Sequence, residues 1–357
     1  MEKFAFVMHP LSAKRDIARK YPFVKALPES WVEFALRYKG PMQVSHITGV
    51  RSVAGPEAEG WFVGCPLTPR QMANLPLKEV YKKIIDTVKI AEDLGAKIIG
   101  LGAHTSVVGD GGITIAENSK IAVTTGNSYT IATGLEGSLR AAEIMGIDHS
   151  EAHAAVVGAG GSIGKTCAQV LYRKCRKLTL VDLSQERLDS LADELATGDC
   201  AEVAASTSVE EGIQDADIVV AVSSATDAII EPRFIKTGAV VCDIARPRDV
   251  SAKVTKERDD VLVIDGGVVD VPGDVEFNFN FGFPPRTAYA CMSETMMLAL
   301  EGRYESFTLG KDVSVEQVEH ITAIGAKHGF KLAGFRSFEK AISDEQISRI
   351  RKNAGRQ

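Results

Sequence analysis

The chain has few of the residues that cross-link a protein. Its 357 residues include six cysteines, scattered and with no Cys-x-x-Cys pair. That pattern excludes a zinc ribbon or a thioredoxin-type redox motif, and it reads as free thiols in an intracellular enzyme. No metal-ligand spacing is present, so neither a structural nor a catalytic metal is expected. Aromatic residues are sparse, at 6%. No apolar run approaches the ~20 residues of a membrane-spanning helix. The opening run, Phe4 to Met8, is also too short for a signal peptide, which favours a cytoplasmic location. Excess basic charge is missing as well. Forty-one Lys and Arg face 47 Asp and Glu, a formal net charge of -6, which argues against a nucleic-acid binder.

What is present fits a soluble globular protein: 45% hydrophobic and 25% charged residues. The length makes two domains the natural expectation. The organising stretch is Ala154-Ala155-Val156-Val157 followed by Gly158-Ala159-Gly160-Gly161-Ser162-Ile163-Gly164. An apolar run, a glycine turn and a helical pattern in that order make a dinucleotide-binding start. Gly158 permits a sharp turn, Gly160 lets backbone approach a pyrophosphate, and Gly164 lets the helix pack close to the strand. The helix N-terminus would offer its free N–H groups and positive dipole end to the phosphates. A second apolar strand, Leu178 to Val181, ends in Asp182. A carboxylate there, about twenty residues after the loop, suits a ribose 2′-hydroxyl.

Further strands follow in a strand–helix rhythm: Val203–Ala205, Asp217–Val222, Ala239–Asp243 and Val261–Asp265. The rhythm predicts a doubly wound parallel sheet with six strands. Ser223, Ser224, Gly266 and Gly267 follow strands of this sheet and are candidates to line a nicotinamide pocket.

The N-terminal segment predicts a smaller α/β domain. Strands are expected at Phe4–Met8, Val44–Val53, Glu59–Cys65 and Lys97–Gly102. Helices are expected at Ala13–Lys20, Trp31–Tyr38 and Leu77–Leu94, the last stopped by Gly95. A further helix runs from Thr124-Thr125-Gly126-Asn127 to about Met145. Asn278 to Pro285 excludes a regular helix, and an apolar helix is expected over Arg286–Leu300. The expected division is 1–135 for the substrate and catalytic domain and 136–284 for the dinucleotide domain. The C-terminal helices, within 285–357, are expected to return to the first domain.

Chemistry concentrates at three places. Cys291 falls near a helix N-terminus, where the dipole favours a thiolate, although buried free cysteine is also an ordinary core residue. His104 follows a strand at its carboxyl end and is a candidate general acid or a turn histidine. Thr125 and Asn127 offer hydroxyl, amide and helix N–H groups suited to a carbonyl oxygen, or to plain helix capping. His9, after the first strand, is a weaker candidate.

These segments together resemble the long-chain acyl-acyl-carrier-protein reductases, aldehyde-forming enzymes related in architecture to shikimate dehydrogenase and glutamyl-tRNA reductase. The resemblance runs through His9-Pro10-Leu11-Ser12, Leu101-Gly102, Ser106-Val107-Val108 and Thr124-Thr125-Gly126-Asn127. It continues through the Gly158–Gly164 loop, Gly266-Gly267, Tyr289-Ala290-Cys291 with Glu294, and Lys327-His328-Gly329-Phe330. It implies that Cys291 forms an acyl-enzyme thioester from a fatty acyl-carrier-protein or acyl-CoA. Hydride from a nicotinamide cofactor would then release a fatty aldehyde, and the resemblance implies an aldehyde-consuming enzyme as a partner. Asp182 departs from the family, which places a basic residue there. A carboxylate repels a 2′-phosphate, so NAD is favoured over NADP. Two alternatives stay open: a shikimate-dehydrogenase-like oxidoreductase of a small hydroxy acid, and a non-catalytic NAD-binding module.

Overall fold

The computed structural model describes residues 1–18, 21–196, 198, 200–225, 227–245 and 247–356. The chain divides into two compact units. The first holds 1–127, 270–311 and 320–331, and the second holds 128–269, 312–319 and 332–357.

The first unit is built on a six-stranded sheet. Its own strands are β1 (Glu2–Met8), β2 (Met42–Arg51), β3 (Glu57–Gly64), β4 (Ile98–Gly100) and β5 (Ala122–Thr124), with Gly273–Glu276 at one edge. β3, β1, β4 and β5 run parallel side by side. β2 is antiparallel to β3, and Gly273–Glu276 is antiparallel to β2. Phe4 to Val7 are buried in succession, as expected of a strand covered on both faces. Around the sheet lie α1 (Ala13–Ile17), α2 (Glu29–Tyr38), α3 (Pro69–Asn74), α4 (Leu77–Asp93) and α5 (Ile113–Glu117). α4 buries Val80, Ile84, Thr87, Val88 and Ala91, a single stripe at helical spacing. Gly95 follows it at φ +83°. The helix expected over Ala13–Lys20 ends at Ile17, and Arg19 and Lys20 lie outside the described residues.

α6 (Asn127–Ile144) opens the second unit. The strands β6 (His153–Val157), β7 (Lys177–Val181), β8 (Glu202–Ser206), β9 (Ile218–Ala221), β10 (Val240–Asp243) and β11 (Leu262–Asp265) form one sheet in the order β11-β10-β9-β6-β7-β8. Every pairing within it is parallel. This is the doubly wound dinucleotide-binding topology, with its reversal of strand order at β6 and β9. Alternate residues feed two cores. Ala154, Val156, Leu178, Leu180, Val220 and Cys242 face one, and Ala155, Val157, Val181, Val219 and Val241 face the other. The helices α7 (Ser162–Tyr172), α8 (Gln185–Leu195), α9 (Val209–Ile213) and α10 (Val254–Glu257) connect the strands.

Beyond the sheet the chain alternates between units. α11 (Ala290–Leu300) belongs to the first, α12 (Val315–His328) mostly to the first, and α13 (Asp344–Asn353) to the second. The boundaries thus differ from those expected at 135 and 284, and the last residues do not return to the first unit. The reason is visible in their partners. Ile347 joins the dinucleotide-unit core. Arg356 lies 3.6 Å from Asp217, and Phe338 and Glu339 donate backbone N–H bonds to Asp265. The helix expected from Arg286 starts at Ala290, because Thr287–Tyr289 is extended and Tyr289 is the N-cap.

Candidate functional site

In the second unit the glycine loop has the geometry its sequence implies. Gly158 adopts φ +87°, and a Cβ there would meet the Ser223 backbone at 2.8 Å. A Cβ on Gly164 would come within 2.0 Å of the Gly158 carbonyl oxygen, so only glycine lets α7 start this close to β6. Gly161 is the N-cap of α7, followed by Ser162, Ile163 and Gly164 in its first turn. A Cβ on Gly160 would meet the Asp182 carboxyl at 2.9 Å, and the Gly160 N–H donates to Asp182 Oδ2 at 3.1 Å. The Ser184 N–H donates to Oδ1 at 3.0 Å. Loop and carboxylate therefore form one structure. Among the described residues, Ser162 Oγ is buried without a hydrogen-bond partner. An orphaned hydroxyl at a helix N-terminus, beside a cradle that no Cβ can enter, fits a dinucleotide pyrophosphate.

Ser223 is held from below. Its N–H and Oγ both donate to Asp249, at 2.8 and 2.5 Å. Asp249 is buried, and burial raises its carboxyl above the usual range. Ser224 is exposed. Gly267 has φ +74°, and a Cβ on Gly266 would strike Ile244 at 2.7 Å. Sequence reasoning missed Asp249, which lies 26 residues from its partner with no local motif.

In the first unit the parallel strands bring three groups to one carboxyl edge. Register aligns Phe6 of β1 with Gly100 of β4, and Gly100 with Thr124 of β5. Just beyond β1, His9 Nε2 accepts the His104 backbone N–H at 3.2 Å. That fixes the proton on Nδ1, which donates to the Pro10 carbonyl at 3.3 Å. Burial, with His104 adding to it, lowers the His9 pKa to about 4, and burial also lowers that of His104. The His9 ring is neutral near pH 7, and burial favours the neutral form of His104. Ala103 turns the chain here at φ +46°.

Just beyond β5, Gly126 lies against Cys291. A Cβ on Gly126 would sit 2.3 Å from Cys291 Cβ and 2.4 Å from its Cα. Cys291 occupies the first turn of α11. One turn on, Glu294 is buried and accepts from Thr124 Oγ1 at 2.5 Å and Thr308 Oγ1 at 3.1 Å. Thr125 Oγ1 donates to the Thr308 carbonyl at 2.5 Å. Thr124, Thr125 and Thr308 thus tie the loop to α11, and Asn127 begins α6 beside them. The Thr125 hydroxyl is committed to that carbonyl. Thr308 and its link to Glu294 had no sequence signal.

The expected thiolate does not match this setting. Cys291 is partly exposed as a residue, yet burial around its sulfur pushes the thiol up to about 12, and Glu294 adds to the rise. The N–H groups of Met292 and Cys291 oppose the shift without cancelling it. Cys291 rests as a neutral thiol. Burial raises Cys65 and Cys175 to about 11 and pushes Cys167 up as well.

Beside these groups, a line of rings leads to α11. Phe62 stacks on Phe277 at 5.9 Å, Phe277 meets Phe281 at 5.2 Å, Phe281 meets Phe283 at 5.6 Å, and Phe283 meets Tyr289 at 4.4 Å. Among the described residues, no three His, Cys, Asp or Glu gather as metal ligands would. No described helix is long and apolar enough to cross a membrane.

The chain is similar to several known proteins. Residues 140–266 match the model of the shikimate/quinate 5-dehydrogenase family. The chain is similar over most of its length to a long-chain acyl-[acyl-carrier-protein] reductase of Synechococcus elongatus. That match is 27% identical over 339 residues, 90% of this chain and 95% of the relative. It is also 27% identical to the aminotransferase PigE of a Serratia species over 98% of its length, but spans only 42% of that protein. A glutamyl-tRNA reductase of Natronomonas pharaonis is 32% identical over 127 residues, covering 35% of this chain and 27% of the relative. Among solved structures, L-tryptophan dehydrogenase from Nostoc punctiforme superposes with a TM-score of 0.44 and 13% identity, over 99% of this chain and 87% of that one.

Proposed function

We propose that this protein is a nicotinamide-dependent reductase that converts a fatty acyl thioester to an aldehyde through Cys291. One observation carries the reading: Cys291 stands at the head of α11, with the Gly126 backbone pressed against it and Glu294 anchored behind it by two threonine hydroxyls. The similarity to the Synechococcus reductase over 90% of the chain supports it.

A nicotinamide dinucleotide, when bound, supplies the hydride, and Gly158, Gly160, Gly164, Ser162 and Asp182 are the residues that would hold it. The chain's own part is acyl transfer. Cys291 Sγ attacks the thioester carbonyl carbon, a new carbon–sulfur bond forms, and the bond to the carrier sulfur breaks. The Cys291 proton leaves in the same exchange and ends on the departing carrier thiol. A thioester to cysteine keeps the carbonyl electrophilic. The Cys291 and Met292 N–H groups at the helix start lie where developing negative charge is stabilised. The donor is read as acyl-carrier protein or acyl-CoA, and an aldehyde-consuming enzyme would take the product.

The test is intact-mass analysis after incubation with an acyl-CoA and no dinucleotide. An acyl adduct on Cys291, released as aldehyde when NADH is added, supports the reading. No adduct, with turnover of a small hydroxy acid instead, would favour a shikimate-dehydrogenase-like reaction.

A further inference from the structure

The first unit carries a surface that this reaction does not use. α1, the turn Pro22–Ala26 and α2 share a small satellite core of Ala13, Ala18, Val24, Val32 and Leu36. The arrangement is inside out: small aliphatic side chains face in and large aromatic ones face the solvent. Trp31 is 68% exposed, Phe34 65%, Tyr38 69% and Phe23 70%. On α2 the exposed three fall at spacings of three and four, one continuous stripe opposite buried Val32 and Leu36. A helix apolar on both faces is ordinarily buried on both. This one has a second face with no cover among the described residues.

Charge marks what the cover is. Between Pro10 and Lys39 the sequence has seven Lys and Arg against three Asp and Glu, in a chain whose net charge is -6. Of the three acids, Glu33 is buried and paired with Arg70, Asp16 accepts from the Leu11 and Ser12 N–H groups, and Glu29 accepts from Ser12 Oγ. Of the bases, Arg37 pairs with Glu79 and Arg15 with Asp16, so the positive excess is carried by the lysines and Arg19. Lys39 lies over the Tyr21 ring at 5.6 Å, so basic and aromatic groups interleave. Protruding Trp, Tyr and Phe with Lys and Arg around them is the composition of a helix that lies in a membrane interface. A protein partner would need a fitted hollow for each ring, whereas a lipid surface accepts a convex face without one. We propose that α2 and the turn before it dock this protein on anionic lipid surfaces, with Trp31, Phe34, Tyr38 and Phe23 inserted among the headgroups. The proposal does not depend on the acyl-reductase reading.

The two tryptophans supply the readout, because Trp31 is exposed and Trp61 is 8% exposed. The 357-residue chain is mixed with vesicles of phosphatidylglycerol and phosphatidylcholine, or of phosphatidylcholine alone, and followed by flotation and tryptophan emission. Flotation with the anionic vesicles, a blue shift lost in Trp31→Phe, and weakening at high salt are expected. Combined Trp31→Ser, Phe34→Ser and Tyr38→Ser should cut the partition coefficient at least tenfold with the melting temperature unchanged. Three results overturn the proposal: no flotation by folded protein, equal binding to neutral vesicles, or a blue shift that follows protein concentration without lipid. The last would identify the cover as a second copy of this chain.

Discussion

At the scale of the residue, the proposed chemistry turns on a thiol that is protonated at rest. Cys291→Ser is expected to lose aldehyde formation by several orders of magnitude while dinucleotide affinity is unchanged, as measured by turnover and by cofactor titration. Near wild-type turnover would make Cys291 a core residue. With its pKa raised to about 12, the pH profile is also specified. Alkylation of Cys291 by iodoacetamide should keep rising with pH past 9, where an ordinary thiol levels off. Glu294→Gln removes the carboxylate that adds to this rise and should shift the profile to lower pH. His9 gives a second pH signature. Its folded pKa of about 4 lies below the ordinary 6.5. The stability it preserves is present above pH 6.5 and lost as pH falls toward 4, because the unfolded chain binds the proton first. Urea denaturation of wild type and His9→Gln between pH 7 and 4 should show a smaller acid loss in the variant. For the cofactor, Asp182 predicts tighter binding of NADH than NADPH, and Asp182→Ala should narrow the gap. Equal affinities in wild type would remove that role. Cys291 and Asp182 were both legible as candidates, each sitting in a short local pattern. The resting state of Cys291 was not, because it is set by enclosure and by a carboxylate held through Thr124 and Thr308, residues remote in sequence.

At the scale of the element, glycine positions do the fitting. Gly126 stands at φ +75° with Cys291 against it. Gly126→Ala should abolish acylation and lower stability, since the new Cβ would overlap Cys291 Cβ and meet backbone. Intact-mass labelling and thermal melts separate the two effects. Gly164→Ala should spare acylation and weaken dinucleotide binding, as α7 is pushed off β6. The parallel strands of both sheets were readable as short apolar runs, and the glycine loop as a spacing. α11 starts four residues after the Arg286 its sequence suggests, because Pro284-Pro285 resembles a helix entry while Thr287-Ala288-Tyr289 continues as strand. The stripe on α2 misled in another way. Its periodicity announces a helix, but spacing alone does not say that Trp31, Phe34 and Tyr38 form the outer face.

At the scale of the molecule, the chain passes between its units more often than its sequence suggests. The second unit takes 128–269, 312–319 and 332–357, so its core is completed by Val313, Val318 and Ile347. Truncation after Leu332 should lower the melting temperature of that unit by about 10 °C or more, at roughly 2–4 °C per kcal/mol lost, and reduce dinucleotide affinity. Calorimetry with cofactor titration measures both. The same layout governs the order of events at the ribosome. The sheet of the second unit is complete in the chain at Asp265, before Val313, Val318 and Ile347, which complete one of its cores, have been synthesised. At about 5–20 residues per second, those closing residues follow several seconds later. Through that interval the core lacks Val313, Val318 and Ile347, and the yield of folded protein in a cell should depend on the chaperones available to shield the gap.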